Sequence, residues 1–361
     1  MGVHPVIRIL FRADAYPAIG TGDLMSLVHF SRHPRVVAAG WQCHFMVRDH
    51  STARNLLAGR QVSHVSLIPA DASTAEERVA VVRYTADHNM DAVIFEITDR
   101  RLDTFDLTEI DAVTAAVDFY GWIPRGLDLV VNWDTEAPAR YHCQDFPGTD
   151  FFLGPETVFL DPDFLSGRQR WQPEENDRRP VVVAMGGADE FDLTGGILSE
   201  LVPRLPPDTS FVAVVGAGYG HLDRLRDLAQ GANGRLTIRQ NITDMCREFL
   251  GARHVFGAGG LTAYELVATG TPCSLVACYD HQVHRCRHFA DRGWVRYLGH
   301  CQNLGPVTLP AWTGPADGTD RFASGLDRVV TALEEKIQLR RSMRNGNSRS
   351  QGMAMANWDF R

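Results

Sequence analysis

Val255-Phe256-Gly257-Ala258-Gly259-Gly260-Leu261-Thr262-Ala263-Tyr264-Glu265-Leu266-Val267-Ala268-Thr269-Gly270-Thr271-Pro272 is the stretch that decides the fold. Apolar residues give way to glycines and then to helix formers, so it reads as the end of a buried strand, a tight turn, and a short helix closed by Gly270. A turn of this kind suits a phosphate. Glycines let the backbone approach an anion without a Cβ in the way, and the first N–H groups of the helix supply the attraction. Thr262 adds a hydroxyl, and Glu265 lies one turn further on, where a carboxylate can accept a pair of ribose hydroxyls. A Gly-rich connection is more often plain helix–sheet packing. Here the next strand, Ser274-Leu275-Val276-Ala277-Cys278, runs into a second polar cluster at Tyr279-Asp280-His281-Gln282. Open α/β sheets bind ligands at such carboxyl ends.

The 361 residues carry a net charge of -8, with 44% hydrophobic and 22% charged residues. That length suits two domains with a core each. The charge leaves no footprint for nucleic acid, and Lys336, Arg340, Arg341, Arg344 and Arg349 read as a solvated helix face or tail. No apolar run reaches the roughly 18 to 20 residues that span a bilayer, and no basic-then-apolar leader opens the chain, so a cytoplasmic protein is expected. The seven cysteines form no C-x-x-C pair and read as reduced thiols.

The first strand, residues 6–11, runs into Arg12-Ala13-Asp14 and then Ile19-Gly20-Thr21-Gly22-Asp23, with a helix over 24–33 whose Leu24, Leu27, Val28 and Phe30 suit one buried face. Asp23 thus stands at a helix mouth beyond a Gly-x-Gly turn, where an aspartate is commonly just a cap. Strand-like segments at 43–47, 62–68, 92–96, 113–119 and 127–132 alternate with helical ones, which implies a doubly wound parallel sheet. Polar, breaker-rich sequence between 161 and 180 reads as a linker. A second round then opens with Val181-Val182-Val183-Ala184-Met185 and the turn Gly186-Gly187-Ala188-Asp189. The closing segment, 320–341, is amphipathic and helical, and a mobile tail is expected beyond Asn345.

Two motifs read as decoys. Gly216-Ala217-Gly218-Tyr219-Gly220 invites a dinucleotide fingerprint, but the third glycine falls on His221 and no acid closes the next strand. His281, His284, Cys286 and His288 suit zinc by type, yet the spacing matches no usual pattern and Cys286 leaves the common helix face. No metal and no cofactor are expected.

Arg12-x-Asp14-x-x-x-x-Ile19-Gly20-x-Gly22, Met185-Gly186-Gly187-Ala188-Asp189 with Leu193-Thr194, and Gly259-Gly260-Leu261-Thr262-x-x-Glu265 together resemble the UDP-sugar hydrolase of the pseudaminic acid pathway. The similarity runs in order from about residue 6 to 299 and includes Gly154-Pro155 with Asp163-Phe164. It implies the GT-B architecture, which that family shares with the peptidoglycan GlcNAc transferase: two Rossmann-like α/β domains facing across a cleft. On this reading residues 1–165 are the acceptor and catalytic-base domain, 166–180 the linker, 181–345 the nucleotide-sugar domain and 346–361 a flexible tail. The resemblance further implies that Gly259, Gly260, Leu261 and Thr262 meet the diphosphate, Glu265 the ribose, and Asn241, Ile242 and Met245 the base. Gly20, Gly22, Gly186, Gly187 and Asp189 would border the cleft, with Asp280, His281 and Gln282 in place of a family Asn-Gln pair.

The chain departs from the family where a histidine, the presumed base, is replaced by Asp23, and where an Asp-His-Tyr motif is replaced by Phe95-Glu96-Ile97-Thr98-Asp99. The expected activity is an inverting, metal-independent glycosyltransferase in which Asp23 is the general base and Arg12 and Asp14 orient its loop. The partners are a nucleotide sugar and a small-molecule acceptor. An NDP-sugar hydrolase and an inactive sugar-nucleotide-binding protein are the alternatives.

Overall fold

The computed structural model describes residues 5–16, 18–97, 106–119, 121, 124, 126–167, 179–216, 218–310 and 322–356. Long β-branched and apolar runs have to be covered on both faces, and the chain does this twice. The first sheet comprises β1 (Arg8–Ala13), β2 (Gln42–Arg48), β3 (His64–Ile68), β4 (Ala92–Glu96), β5 (Val113–Val117), β6 (Leu129–Asn132) and β7 (Asp150–Leu153), in the order β3-β2-β1-β4-β5-β6-β7. All its neighbouring pairs are parallel.

The second sheet repeats that order. It holds β8 (Val181–Ala184), β9 (Phe211–Val215), β10 (Leu236–Gln240), β11 (His254–Ala258), β12 (Cys273–Ala277), β13 (Arg296–His300) and β14 (Asn303–Leu304), arranged β10-β9-β8-β11-β12-β13-β14. Only its last pair is antiparallel. Strands β4, β5, β6, β8, β9, β11 and β12 are buried along their whole length. Such strands belong to sheets with helices on both faces. Because each sheet is parallel, all strand ends that lead into ligand turns lie on one edge.

The helices are α1 (Gly22–Ser31), α2 (Pro34–Ala38), α3 (Ser51–Gly59), α4 (Thr74–Asp87), α5 (Ala137–Arg140), α6 (Pro162–Gly167), α7 (Leu193–Arg204), α8 (Leu222–Gly231), α9 (Met245–Leu250), α10 (Leu261–Thr269), α11 (Asp280–Asp291) and α12 (Phe322–Ala356). Leu24, Leu27, Val28 and Phe30 of α1 are buried, as their spacing requires. Helix α4 begins with a capping box in which Ser73 and Glu76 satisfy each other's backbone amides.

The domain boundaries read from the sequence need revision at both ends of the second half. Helix α6 packs on the second domain: Phe164 sits 6.1 Å from Phe249, and the Cys246 thiol donates to the Asp163 carbonyl. The crossing therefore precedes Pro162, and residues 168–178 of the expected linker lie outside the described residues. Helix α12, assigned to the second domain by sequence order, docks on the first. Its first residue, Phe322, still packs against Tyr264 and Trp294. Further along, Arg35 reaches Thr331 at 2.6 Å, Lys336 meets Asp150 at 3.1 Å, and Arg341 is bonded to Asp91 at 2.6 Å. Arg340 bonds the Ala112 carbonyl and Arg344 pairs with Asp111. Lys336, Arg340, Arg341 and Arg344, read from the sequence as a solvated face, are thus the rivets of a strap. The flexible tail expected from 346 is helical as far as Ala356, and 357–361 lie outside the described residues.

The strap is seated by close backbone packing. A Cβ at Gly325 would fall 1.4 Å from the Glu156 carbonyl oxygen, so the start of α12 presses directly on the turn after β7. Gly325→Ala is therefore expected to destabilise the protein by about 3 kcal/mol. Gly196→Ala, which would meet nothing within 4 Å on α7, should be neutral or stabilising in the same chemical denaturation experiment.

Candidate functional site

The decisive turn lies where the sequence places it, between β11 and α10. Gly260 is the N-cap residue of α10 and no side chain caps the helix. Among the described residues no acceptor takes the N–H of Gly260, Leu261 or Thr262, and all three residues are half-exposed. These amides and the helix dipole make an anion seat. Gly259 behaves differently: its N–H is bonded to the Val276 carbonyl at 2.8 Å. Its role is steric, since a Cβ there would come within 2.5 Å of Cys286 Sγ.

Helix α11 closes one side of this seat. Gln282 is buried and its Oε1 accepts the Cys278 N–H at 2.9 Å, which places its amide beside Gly260. Asp280 and His281 are exposed, with Asp280 3.5 Å from His300 and the His281 ring stacked beside Tyr279. The remaining members of the suspected zinc cluster scatter. His284 pairs with Glu136 at 3.1 Å, Cys286 is buried behind Gly259, and His288 bonds Arg292. The described residues hold no group of three or more His, Cys, Asp or Glu placed to share a metal ion.

Glu265, one turn into α10, is buried. Burial pushes its carboxyl up to about 8, the charge of Asp161 adds to the effect, and Arg60 opposes it. Arg60 also donates to the Thr243 carbonyl at 2.7 Å and so ties α3 to the loop after β10. That loop holds exposed Asn241 and half-buried Ile242 and leads into Met245 at the start of α9. The second glycine turn, after β8, faces the first domain: a Cβ at Gly187 would meet Thr21 Oγ1 at 3.1 Å. Gly187 and Thr21 thus meet where the two domains face each other, and nothing lies within 4 Å of a Cβ built at Gly20, Gly22 or Gly186. Asp189 does not offer its carboxylate to the cleft. Its two oxygens accept the Leu193 and Thr194 N–H groups at 2.9 and 2.8 Å, and so hold the start of α7. Of the dinucleotide-like glycines after β9, Gly216 serves packing: a Cβ there would strike the Gly187 carbonyl, whereas Gly220 faces open space.

On the first domain, Asp23 lies in the opening turn of α1, half-buried, and Thr21 rather than Asp23 occupies the cap position. Arg12 and Asp14 are set behind it. The fully buried Arg12 guanidinium grips both Asp14 oxygens at 2.7 and 3.0 Å and Glu77 at 2.9 Å. Asp14 in turn accepts the Arg48 backbone N–H at 2.9 Å, and Arg48 bonds Glu77 at 2.9 Å. These bonds are made within the protein, and they fix the end of β1.

Several residues beside these turns had no role assigned from the sequence. Arg285 donates to the Gly259 carbonyl at 2.9 Å, lies 3.5 Å from Asp134 of the first domain, and stacks over the Tyr264 ring. Tyr264 donates to the Trp133 carbonyl at 2.6 Å, a further bond between the domains. Glu96, at the end of β4, is bonded to Ser26 of α1, close enough to Asp23 for their charges to interact. A strand that ends in an acid was the one available hint.

No family model matches the chain. Among curated proteins, the spore coat polysaccharide biosynthesis protein SpsG of Bacillus subtilis is 29% identical over 175 residues, 48% of this chain and 50% of that protein. The uncharacterized protein MJ1062 of Methanocaldococcus jannaschii is 24% identical over 164 residues, 44% of this chain and 33% of that protein. The matched segments thus span half or less of these relatives. Solved structures match far more of the chain. MurG of Acinetobacter baumannii aligns over 94% of this chain and 100% of its own with a TM-score of 0.54 at 13% identity. A putative UDP-N-acetylglucosamine 2-epimerase of Listeria monocytogenes aligns over 92% and 97% with a TM-score of 0.54 at 11% identity. TcCGT1, solved in complex with UDP, aligns over 94% of both chains with a TM-score of 0.53 at 12% identity. The fold is GT-B. Among the described residues no helix is long and apolar enough to cross a membrane.

The Arg12 cluster gives a direct test of its role. Arg12→Ala takes the close guanidinium from buried Asp14 and leaves Glu77 with Arg48 alone, and is expected to cost about 3 kcal/mol of stability. Arg12→Lys should recover little of it, because an ammonium cannot reproduce the bidentate grip on Asp14 while also holding Glu77. Thermal unfolding of the two variants checks both statements.

Proposed function

We propose that this protein is an inverting, metal-independent glycosyltransferase that uses a nucleoside diphosphate sugar. The observation that carries the reading is the uncapped start of α10, at the carboxyl edge of the second sheet, where the turn after β8 meets Thr21 of the first domain through Gly187. In this reading the amides of Gly260, Leu261 and Thr262 hold the diphosphate, Glu265 accepts the ribose hydroxyls, and the loop carrying Asn241, Ile242 and Met245 meets the base. Gln282, with Asp280 and His281 at its entrance, lies on the sugar side. Support comes also from relatives of the same fold: one was solved with UDP and another is described as a UDP-sugar epimerase.

The chemistry is a single displacement at the anomeric carbon. Asp23 takes the proton from an acceptor hydroxyl as that oxygen bonds to carbon, and the electron pair of the breaking C–O bond leaves with the diphosphate. Helix N–H groups and the positive end of the α10 dipole receive the charge that develops. The transferase is favoured over the hydrolase because the residues that differ from the hydrolase family, Asp23 and Glu96, stand on the acceptor side, while the diphosphate turn is kept.

A thermal-shift screen of nucleoside diphosphates and their sugars tests the binding half, since a ligand held by the native state raises the melting temperature. No stabilisation by any of them would remove the reading. Asp23→Asn is expected to abolish turnover and leave nucleotide affinity within about twofold, whereas retained turnover would exclude Asp23 as the base. Rapid release of free sugar without acceptor would favour the hydrolase.

Glu265 adds a pH dependence. Its carboxyl, pushed up to about 8, is largely protonated at neutral pH and must ionise to accept two ribose hydroxyls. Affinity for a nucleotide sugar is therefore expected to rise by up to about tenfold per pH unit between pH 6 and 8. Glu265→Gln should be weaker and flat over that range in calorimetric titrations.

A further inference from the structure

A second carboxyl stands behind Asp23. Glu96 closes β4 and is 2% exposed, and in the sheet it lies level with Ala13 of β1 and Val117 of β5, neither of which offers a cation. The Arg12 guanidinium is directed at Asp14 and Glu77 instead. Across from Glu96, on α1, Ser26 Oγ makes two hydrogen bonds, one to Glu96 Oε2 and one to the Asp23 carbonyl oxygen at 2.9 Å. A hydroxyl has one proton to give. The Asp23 carbonyl can only accept, so Ser26 donates there, and its contact with Glu96 is a hydrogen bond only if the Glu96 carboxyl brings the proton. Burial, and then the charge of Asp23, raise Glu96 well above the usual carboxylate range, and they outweigh the opposing pull of a Ser26 hydroxyl turned towards the carboxyl. Asp23 is the charged group set against Glu96 among the described residues.

We infer that Glu96 and Asp23 form a carboxylic acid–carboxylate pair, in which Glu96 keeps its proton, Asp23 carries the charge, and Glu96 positions and tunes the base through Ser26. The tuning role rests on the reading of Asp23 as general base; the shared ionisation does not. The acceptor proton passes to Asp23 while Glu96 retains its own, and the pair then carries two protons until Asp23 releases one to solvent. A second ionisation, at Glu96, would place two negative charges side by side and break the bond to Ser26.

Two measurements separate the pair from the reaction. An acid that holds its proton in the folded state binds more protons folded than unfolded, so it subtracts stability as pH rises above about 4.3, until the folded group itself ionises. Glu96→Gln keeps the shape and cannot ionise. Its melting temperature relative to the parent is therefore expected to climb by about 2 °C or more between pH 5 and 9. Ser26→Ala, which removes the acceptor of the Glu96 proton, should show a shallower decline with pH than the parent. Parallel curves for the parent and Glu96→Gln, or a Ser26→Ala decline as steep as the parent's, would overturn the pair. The second measurement is kcat/KM against pH with a nucleotide sugar that is turned over. The parent should lose activity on the alkaline side as Glu96 ionises, and Glu96→Gln should lose that limb while the acid limb stays. An alkaline limb unchanged in Glu96→Gln would overturn the tuning role. Divergent melting curves with no turnover of any nucleotide sugar would leave the pair standing and refute only the base.

Discussion

Backbone amides without partners are costly wherever water is shut out, and a helix begins with several of them. At α10 the chain supplies no capping side chain, and it sets the helix start at the mouth of a cleft. Much of the second domain can be read as the means of keeping that arrangement. Gly259 allows α11 to close on the turn, Gln282 binds the backbone of Cys278 beside it, and Arg285 holds the Gly259 carbonyl from behind. The cleft is thus built around groups whose hydrogen-bonding capacity the protein leaves unspent.

The two halves solve one folding problem with the same strand order and opposite local economies. After β8 and β11 the chain ends in glycine turns whose atoms are backbone. After β1 and β4 it ends in ionisable side chains, and a buried lattice of Arg12, Arg48, Asp14 and Glu77 fixes where they stand. A rigid charge network on one wall and a neutral cradle on the other suit a reaction that moves a proton at one side of a carbon and a diphosphate at the opposite side.

Much of this was legible because the signals are local. A run such as Val181-Val182-Val183-Ala184-Met185 followed by Gly-Gly declares a buried parallel strand and its turn, and the alternation of strands with helices declares the sheet. Strand β13, Arg-Tyr-Leu-Gly-His, is mostly half-buried and carries a glycine, so no apolar run marked it. The docking of α12 was illegible for another reason: Asp91, Asp111 and Asp128 become partners of its arginines only after the whole first sheet has formed. Asp189 looked like a cleft residue until the fold showed its oxygens committed to α7. Glu96 and Asp23 are 73 positions apart, and only the adjacency of β1 and β4 makes them neighbours.

The polypeptide passes between the lobes twice, once ahead of α6 and again in the first turn of α12, between Phe322 and Gly325. Both passages lie close together, because Gly325 rests on Glu156, a few residues before the first of them. A door hung on two adjacent pins turns about the line through those pins and resists twisting. Any swing of one lobe against the other would have to turn about that line, and it would break the Tyr264–Trp133 and Arg60–Thr243 bonds on the way.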